Sequence, residues 1–205
     1  MCLSALFLLV LVASILLGAV RIPFADFWNI LTGRINSGAS YSIVAQIRLP
    51  RILMAASVGG ALSVCGVVMQ SILRNPLAEP FVLGLSGGAA VGSILFILLG
   101  LSITGGSFAF SFIGAMLTLF VVLFLSKKRG AFSTTRVILT GVIVNAFFTA
   151  FIMFVITTTS DELLHAILFW LYGDLSGSAY VDVAILSIVL LPAFVAAYLF
   201  ARHLN

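Results

Sequence analysis

This sequence has very little charge. Of 205 residues, 8% are Asp, Glu, Lys or Arg against 62% hydrophobic, and the mean hydropathy is +1.30. A soluble domain carries about 25% charged residues. So few charges cannot cover a water-exposed surface of this size, and the natural solvent is lipid. Cysteine is equally scarce. Cys2 and Cys65 are too few for a disulfide framework, and Cys65, inside an apolar run, packs as a small hydrophobe. No Ser, Cys or His has the spacing of a nucleophile with its base, and no G-x-x-x-x-G-K-[ST] cradle is present. Recognisable catalysis and nucleotide hydrolysis are thereby excluded, and no cofactor is expected. Asp161, Glu162 and His165 give one E-x-x-H pair. A di-iron bundle needs two such pairs and two further carboxylates, so no metal site is expected. The net charge of +4 comes from basic residues scattered between apolar blocks. They form no nucleic-acid patch and report membrane topology instead.

What is present in abundance is long apolar runs. A span needs about 20 mostly apolar residues at a rise of about 1.5 Å each. Six segments qualify: Leu3–Val20, Ile52–Leu73, Phe81–Leu101, Phe108–Leu125, Val137–Thr157 and Val181–Ala201. Lipid demands that backbone polar groups be satisfied within a helix or a closed barrel. The period-two alternation of a barrel is missing, so the expected fold is all-α, a polytopic membrane helix bundle. Leu3–Val20 lacks the positive n-region and small-residue cleavage site of a secretory signal and is expected to stay as the first span. "RNPLAEP" (74–80) ends one helix and re-aims the chain. "SKKRGAFSTTR" (126–136) is the strongest polar break. Ser160 before Asp161 and Glu162 predicts an N-cap, opening a short interfacial helix over "ELLHAILFWLY". "PFADFWNILTG" predicts another helix lying flat.

With the N-terminus inside, the inner side takes Arg74, Lys127, Lys128, Arg129, Arg136 and Arg202, and the outer side takes Arg21, Arg34, Arg48 and Arg51. The KKR cluster carries the orientation. Trp28, Tyr41, Trp170, Tyr172 and Tyr180 fall at the outer edge as an aromatic belt, with Tyr198 alone at the inner edge. Topology does not account for the outer arginines. Arg48 and Arg51 flank a proline in "RLPR", where one reading is that both snorkel to lipid headgroups.

Small residues recur every four positions in two spans: Ala55, Gly59 and Ser63, continued by Gly66 and Gln70, and then Gly84, Gly88 and Gly92. Such rows predict close helix packing in lipid, with a central helix wrapped by the others. A third row, Gly141, Asn145 and Thr149, puts an amide in mid-membrane. Asn145 there either hydrogen-bonds another helix or lines a water-filled path.

Three blocks together carry a resemblance. "RLPRILMAASVGGALSVCGVVMQSILRNPLAEPFVLGLSGGAAVG" (48–92) closely resembles the permease subunits of ABC importers for iron-siderophores, haem and vitamin B12. "STTRVILTGVIVNAFFTAF" and "LFWLYGDLSGSAYVDV" resemble the next blocks of the same family, in the same order. The resemblance implies a type II importer in a bacterial cytoplasmic membrane. Two permeases would form the path, cytoplasmic ATPase subunits would drive it, and an extracytoplasmic binding protein would deliver a chelate. It implies that Arg48 and Arg51 receive acidic groups of the binding protein. It also implies that Thr134 and Thr135 contribute a cytoplasmic gate. Gly141, Asn145 and Thr149 are then expected to follow along the path, which is a reading of their spacing and not a motif of the family.

Members of that family run to roughly ten spans of about 20 residues each. The chain is therefore expected to be one transmembrane permease domain, residues 1–205, that stops before the cytoplasmic coupling helices. Two rivals stay open. An ion-driven secondary transporter would show intramembrane acids or broken helices, yet none of the six Asp and Glu residues lies centrally in a span. A non-transporting membrane scaffold would share the fold without the partners.

Overall fold

The computed structural model describes residues 2–76, 78–103, 105–127 and 133–204. Lys128 and Arg129 of the basic cluster lie outside them. Among the described residues all regular structure is helical, as the apolar runs require. The chain divides into two compact units, Met1–Val64 with Leu175–Ala201, and Cys65–Asp174 with Arg202–Asn205.

The first unit contains α1 (Cys2–Leu16), α2 (Phe24–Leu31), the single turn α3 (Ala39–Tyr41) and a π-helical stretch, Ser42–Arg48. The π-helix runs straight into α4 (Leu49–Leu73). Ile15, Ile22 and Val44 are buried together, with Phe27, Ile30, Ile43 and Ile52 packed against them. The flat helix expected over "PFADFWNILTG" is α2: Phe27 and Ile30 turn to this core while Phe24, Trp28 and Leu31 stay exposed. That two-sided pattern is the amphipathic stripe of an interfacial helix.

The second unit is built around α5 (Leu85–Leu98), with α6 (Gly106–Ser126), α7 (Thr134–Thr158) and α8 (Asp161–Tyr172) packed on it. Ile94, Val155 and Ile167 form one core from α5, α7 and α8. The glycine row of α5 packs as its spacing predicts. A Cβ on Gly88 would lie 1.9 Å from Thr118 Oγ1, one on Gly92 2.2 Å from the Phe110 carbonyl, and one on Gly114 of α6 2.2 Å from the Gly88 carbonyl. The two backbones touch where only hydrogen fits. Ser93 and Ser107 hydroxyls meet across the same seam at 2.6 Å, which satisfies a fully buried Ser93. Ser160 occupies the N-cap position of α8 in extended backbone, as expected, but without a side-chain capping bond.

Two sequence expectations need correction. Four of the six apolar segments form helices long enough to cross a membrane: Ala39–Leu73, Gly106–Ser126, Thr134–Thr158 and Tyr180–Arg202, the last within α9 (Tyr180–Leu204). The other two, α1 and α5, have 15 and 14 residues. At about 1.5 Å per residue they reach roughly 21–23 Å, short of a hydrocarbon core of about 30 Å. α5 is short because Pro80–Leu83 closes into a 3-10 turn and Gly84 takes a left-handed φ of 71°, which cuts the front off the apolar run. The second correction concerns the small-residue row of α4. Ala55, Gly59, Ser63 and Gln70 are exposed, and a Cβ on Gly59, Gly60 or Gly66 would meet nothing within 4 Å. Spacing shows that a face is able to pack closely but cannot say whether a partner stands against it.

Candidate functional site

α7 carries most of the residues singled out for a pathway. Thr134 and Thr135 are its first two residues, after Ser133 at the N-cap, and both are exposed. One turn and a half further on, Gly141 is buried under the 3-10 turn. A Cβ there would sit 2.3 Å from the Val82 carbonyl oxygen and 2.9 Å from Leu83 Cα. From the other side, Gly84 lies against the Gly141 carbonyl and the Asn145 amide nitrogen, at 3.3 and 3.4 Å from its own would-be Cβ. Glycine on both elements lets turn 80–84 seat directly on the α7 backbone. Gly141 therefore provides seating for the turn, and the open surface of the row begins at Asn145.

Asn145 is half-buried at a cleft of about 220 Å³ lined by Glu79, Phe81, Val82, Val142 and Asn145. Its carboxamide oxygen faces α5, where a Cβ on Gly87 would approach it to 2.9 Å. Among the described residues the Asn145 side chain has no hydrogen-bond partner, so the interhelical bond that would hold it as a structural amide is not made. Thr149, exposed one turn on, donates its hydroxyl to the Asn145 carbonyl at 2.9 Å, as helix threonines do when they find no other acceptor. Glu79 is the member of this cleft that sequence reasoning missed. It lies in "RNPLAEP", where the two prolines drew the whole stretch into a helix break. The signal available was an acid placed directly before an apolar run.

The lip of the first unit separates Arg48 from Arg51. Arg48 Nη1 donates to the Ile15 carbonyl and Nη2 to the Val20 carbonyl. Ile15 is in the last turn of α1, where carbonyls lack intrahelical donors and carry the negative end of the helix dipole. A guanidinium suits that place, and a hydrogen bond to a charged group contributes about 1.5–3 kcal/mol. Arg51 is exposed and, among the described residues, makes no hydrogen bond or ion pair. Snorkelling and docking each treat the two arginines as a pair, yet their side chains occupy different surroundings.

The sequence model of the FecCD transport family matches residues 6–205. The chain belongs to that family. An uncharacterized ABC transporter permease of Bacillus subtilis is 40% identical over 198 residues, covering 90% of this chain and 54% of its own length. The hemin transport system permease of Yersinia pestis is 34% identical, covering 98% of this chain and 60% of itself. The cobalamin import permease of Halobacterium salinarum is 38% identical over 165 residues, covering 80% of this chain and 44% of itself. Among solved structures, an inward-facing metal-chelate type ABC transporter superposes with a TM-score of 0.79 at 29% identity. That match covers 99% of this chain and 60% of the other. The chain spans about half the length of the curated FecCD relatives it matches. The resemblance carried by residues 48–92 is thus met by the family match, and the all-helical membrane bundle by the fold.

Proposed function

We propose that this chain is the membrane-spanning part of an ABC importer permease that moves a bulky polar chelate inward, of the iron-siderophore, haem or cobalamin kind. The observation that carries the reading beyond family membership is the Asn145 carboxamide, half-buried and without a hydrogen-bond partner among the described residues, at a cleft it shares with Glu79. An unpaired amide among apolar helices costs free energy unless water or cargo reaches it. Residues 1–205 act as one permease domain in a bacterial cytoplasmic membrane, with the N-terminus inside. Asn145, Thr149 and Glu79 line the path, Gly141 seats the turn beside it, and Thr134 and Thr135 stand at the cytoplasmic gate. Arg48 and Arg51 form the lip on which the binding protein lands.

The mechanism is alternating access. A second permease subunit completes the cavity, and ATPase subunits bind one of its two states more tightly than the other. Equal binding to both would shift nothing. The permease itself performs no chemistry. Relatives named for hemin and for cobalamin support a large metal-bearing cargo.

The test is co-purification and uptake. The full-length protein, purified from membranes, is expected to retain an ATPase and a second permease. In proteoliposomes with the binding protein it should drive ATP-dependent accumulation of a ferric siderophore, hemin or cobalamin. Failure to recover an ATPase and failure to move all three cargoes would overturn the proposal.

A further inference from the structure

The stretch before α4 contains an arrangement that neither topology nor docking requires. In the π-helix Ser42–Arg48 the bonds run five residues back, and the Leu49 amide donates to the Val44 carbonyl. The same register would hand the Ala45 carbonyl to the amide of residue 50. Residue 50 is a proline, fully buried and without an N–H. The Ala45 carbonyl is thus orphaned by the sequence itself. The Tyr180 hydroxyl, from the first residue of α9, donates to it at 2.6 Å. On the other side, the Arg48 guanidinium reaches the Ile15 carbonyl in the last turn of α1 and the Val20 carbonyl in the bend that follows it. It passes over Gly18, where a Cβ would lie 2.7 Å from Nη2.

We infer that Arg48 and Tyr180 are positioning residues that lock the π-helical lip to the end of α1 and the start of α9, so that of the two arginines in "RLPR" it is Arg51 that offers its charge to a partner. At position 48 the requirement is then geometric. A planar fork reaches two carbonyls at once, and a lysine point charge does not. At position 51 the requirement is charge. The first half of the inference stands on hydrogen bonds within this chain, and the second rests on the docking reading.

Two readouts on the full-length protein in lipid nanodiscs separate the halves. The first is amide hydrogen exchange over residues 15–24 and 42–52. Losing the charged hydrogen bonds should speed exchange in the first segment by about tenfold or more in Arg48→Lys and in Gly18→Ala, which displaces the fork without altering it. Tyr180→Phe should speed exchange in the second segment, while Arg51→Lys and Arg51→Gln leave both at the wild-type rate. The second readout is binding-protein association across salt. Arg51→Gln should weaken it and flatten its salt dependence, Arg51→Lys should preserve it, and Arg48→Lys should weaken it with the salt dependence intact. Wild-type exchange in Arg48→Lys, Gly18→Ala and Tyr180→Phe would overturn the positioning role. Faster exchange in those variants, with association indifferent to Arg51→Gln at every salt, would keep that role and sink the docking charge.

Discussion

Gly141→Ala gives the seating of the 3-10 turn on α7 a quantitative test. The added methyl would stand 2.3 Å from the Val82 carbonyl oxygen. Carbon–oxygen contacts settle at about 3.3–3.6 Å, so the approach is short by about 1 Å. The obstacle is backbone, and no rotamer change relieves it. Turn and helix must part by about that distance, and overpacking of this severity costs about 2–3 kcal/mol. Alanine's better helix propensity offsets about 1 kcal/mol of that, leaving a net loss of about 1–2 kcal/mol. For a chain of this size that corresponds to a fall in melting temperature of roughly 2–8 °C. The matched control is Gly59→Ala, with the same gain in propensity and nothing within 4 Å of the new methyl. Thermal unfolding of the two variants in the same nanodiscs is the assay. Because Phe81 and Val82 move with the turn, the cleft should change shape and ATP-driven uptake should fall in Gly141→Ala alone. Equal melting temperatures for the two variants would refute the close seating.

Further expectations follow the same geometry. Gly88→Ala should destabilise by about 1–3 kcal/mol, and Thr118→Ala should not rescue it, because the Gly114 carbonyl still lies 2.7 Å from the new methyl; chemical unfolding of the single and double variants decides this. Asn145→Leu should leave the melting temperature unchanged or raised while cutting uptake by at least about tenfold, since the amide is unpaired yet lines the cleft. Glu79→Gln should alter uptake with little effect on thermal stability, because Glu79 is exposed at that cleft. Arg74 ends α4 in the left-handed region at φ 47°, with the Asn75 amide on the Gln70 carbonyl and its own amide on the Ser71 carbonyl. Arg74→Gly should therefore stabilise the protein by up to about 1 kcal/mol in the same unfolding assay.

The sequence made the helices legible because lipid leaves few alternatives. A run such as Phe108–Leu125 without charge has to satisfy its backbone internally, and α6 forms where that run predicts. Gly88 and Gly92 announced a tight seam because only an absent side chain admits the backbone of α6, and Gly84 of the same row lies against α7. The row at Ala55, Gly59 and Ser63 carried the same signal and stands open. Periodicity is a property of one helix, whereas packing needs two. The site was legible in part. Asn145 stood out because an amide is costly in lipid, while Glu79 was hidden by its neighbouring prolines. Arg48 and Arg51 look equivalent in "RLPR". What separates them is the meeting of residue 48 with carbonyls about thirty positions away, which local pattern does not encode.

The shortness of α5 has a consequence for how the protein responds to its bilayer. A helix of 14 residues facing lipid would force the membrane to thin around it or would tilt upright, and its angle would then track lipid chain length. α5 instead carries Ser93 and Ile94 at zero exposure and lies against α6, α7 and α8. Its reach is therefore set by protein contacts, and the hydrophobic mismatch falls on the longer helices around it. Any change in the tilt of α6 or α7 must carry α5 with it, because the glycine seam and the turn beneath Asn145 fix their spacing. The innermost part of this unit is buffered against lipid composition by a helix too short to sense it.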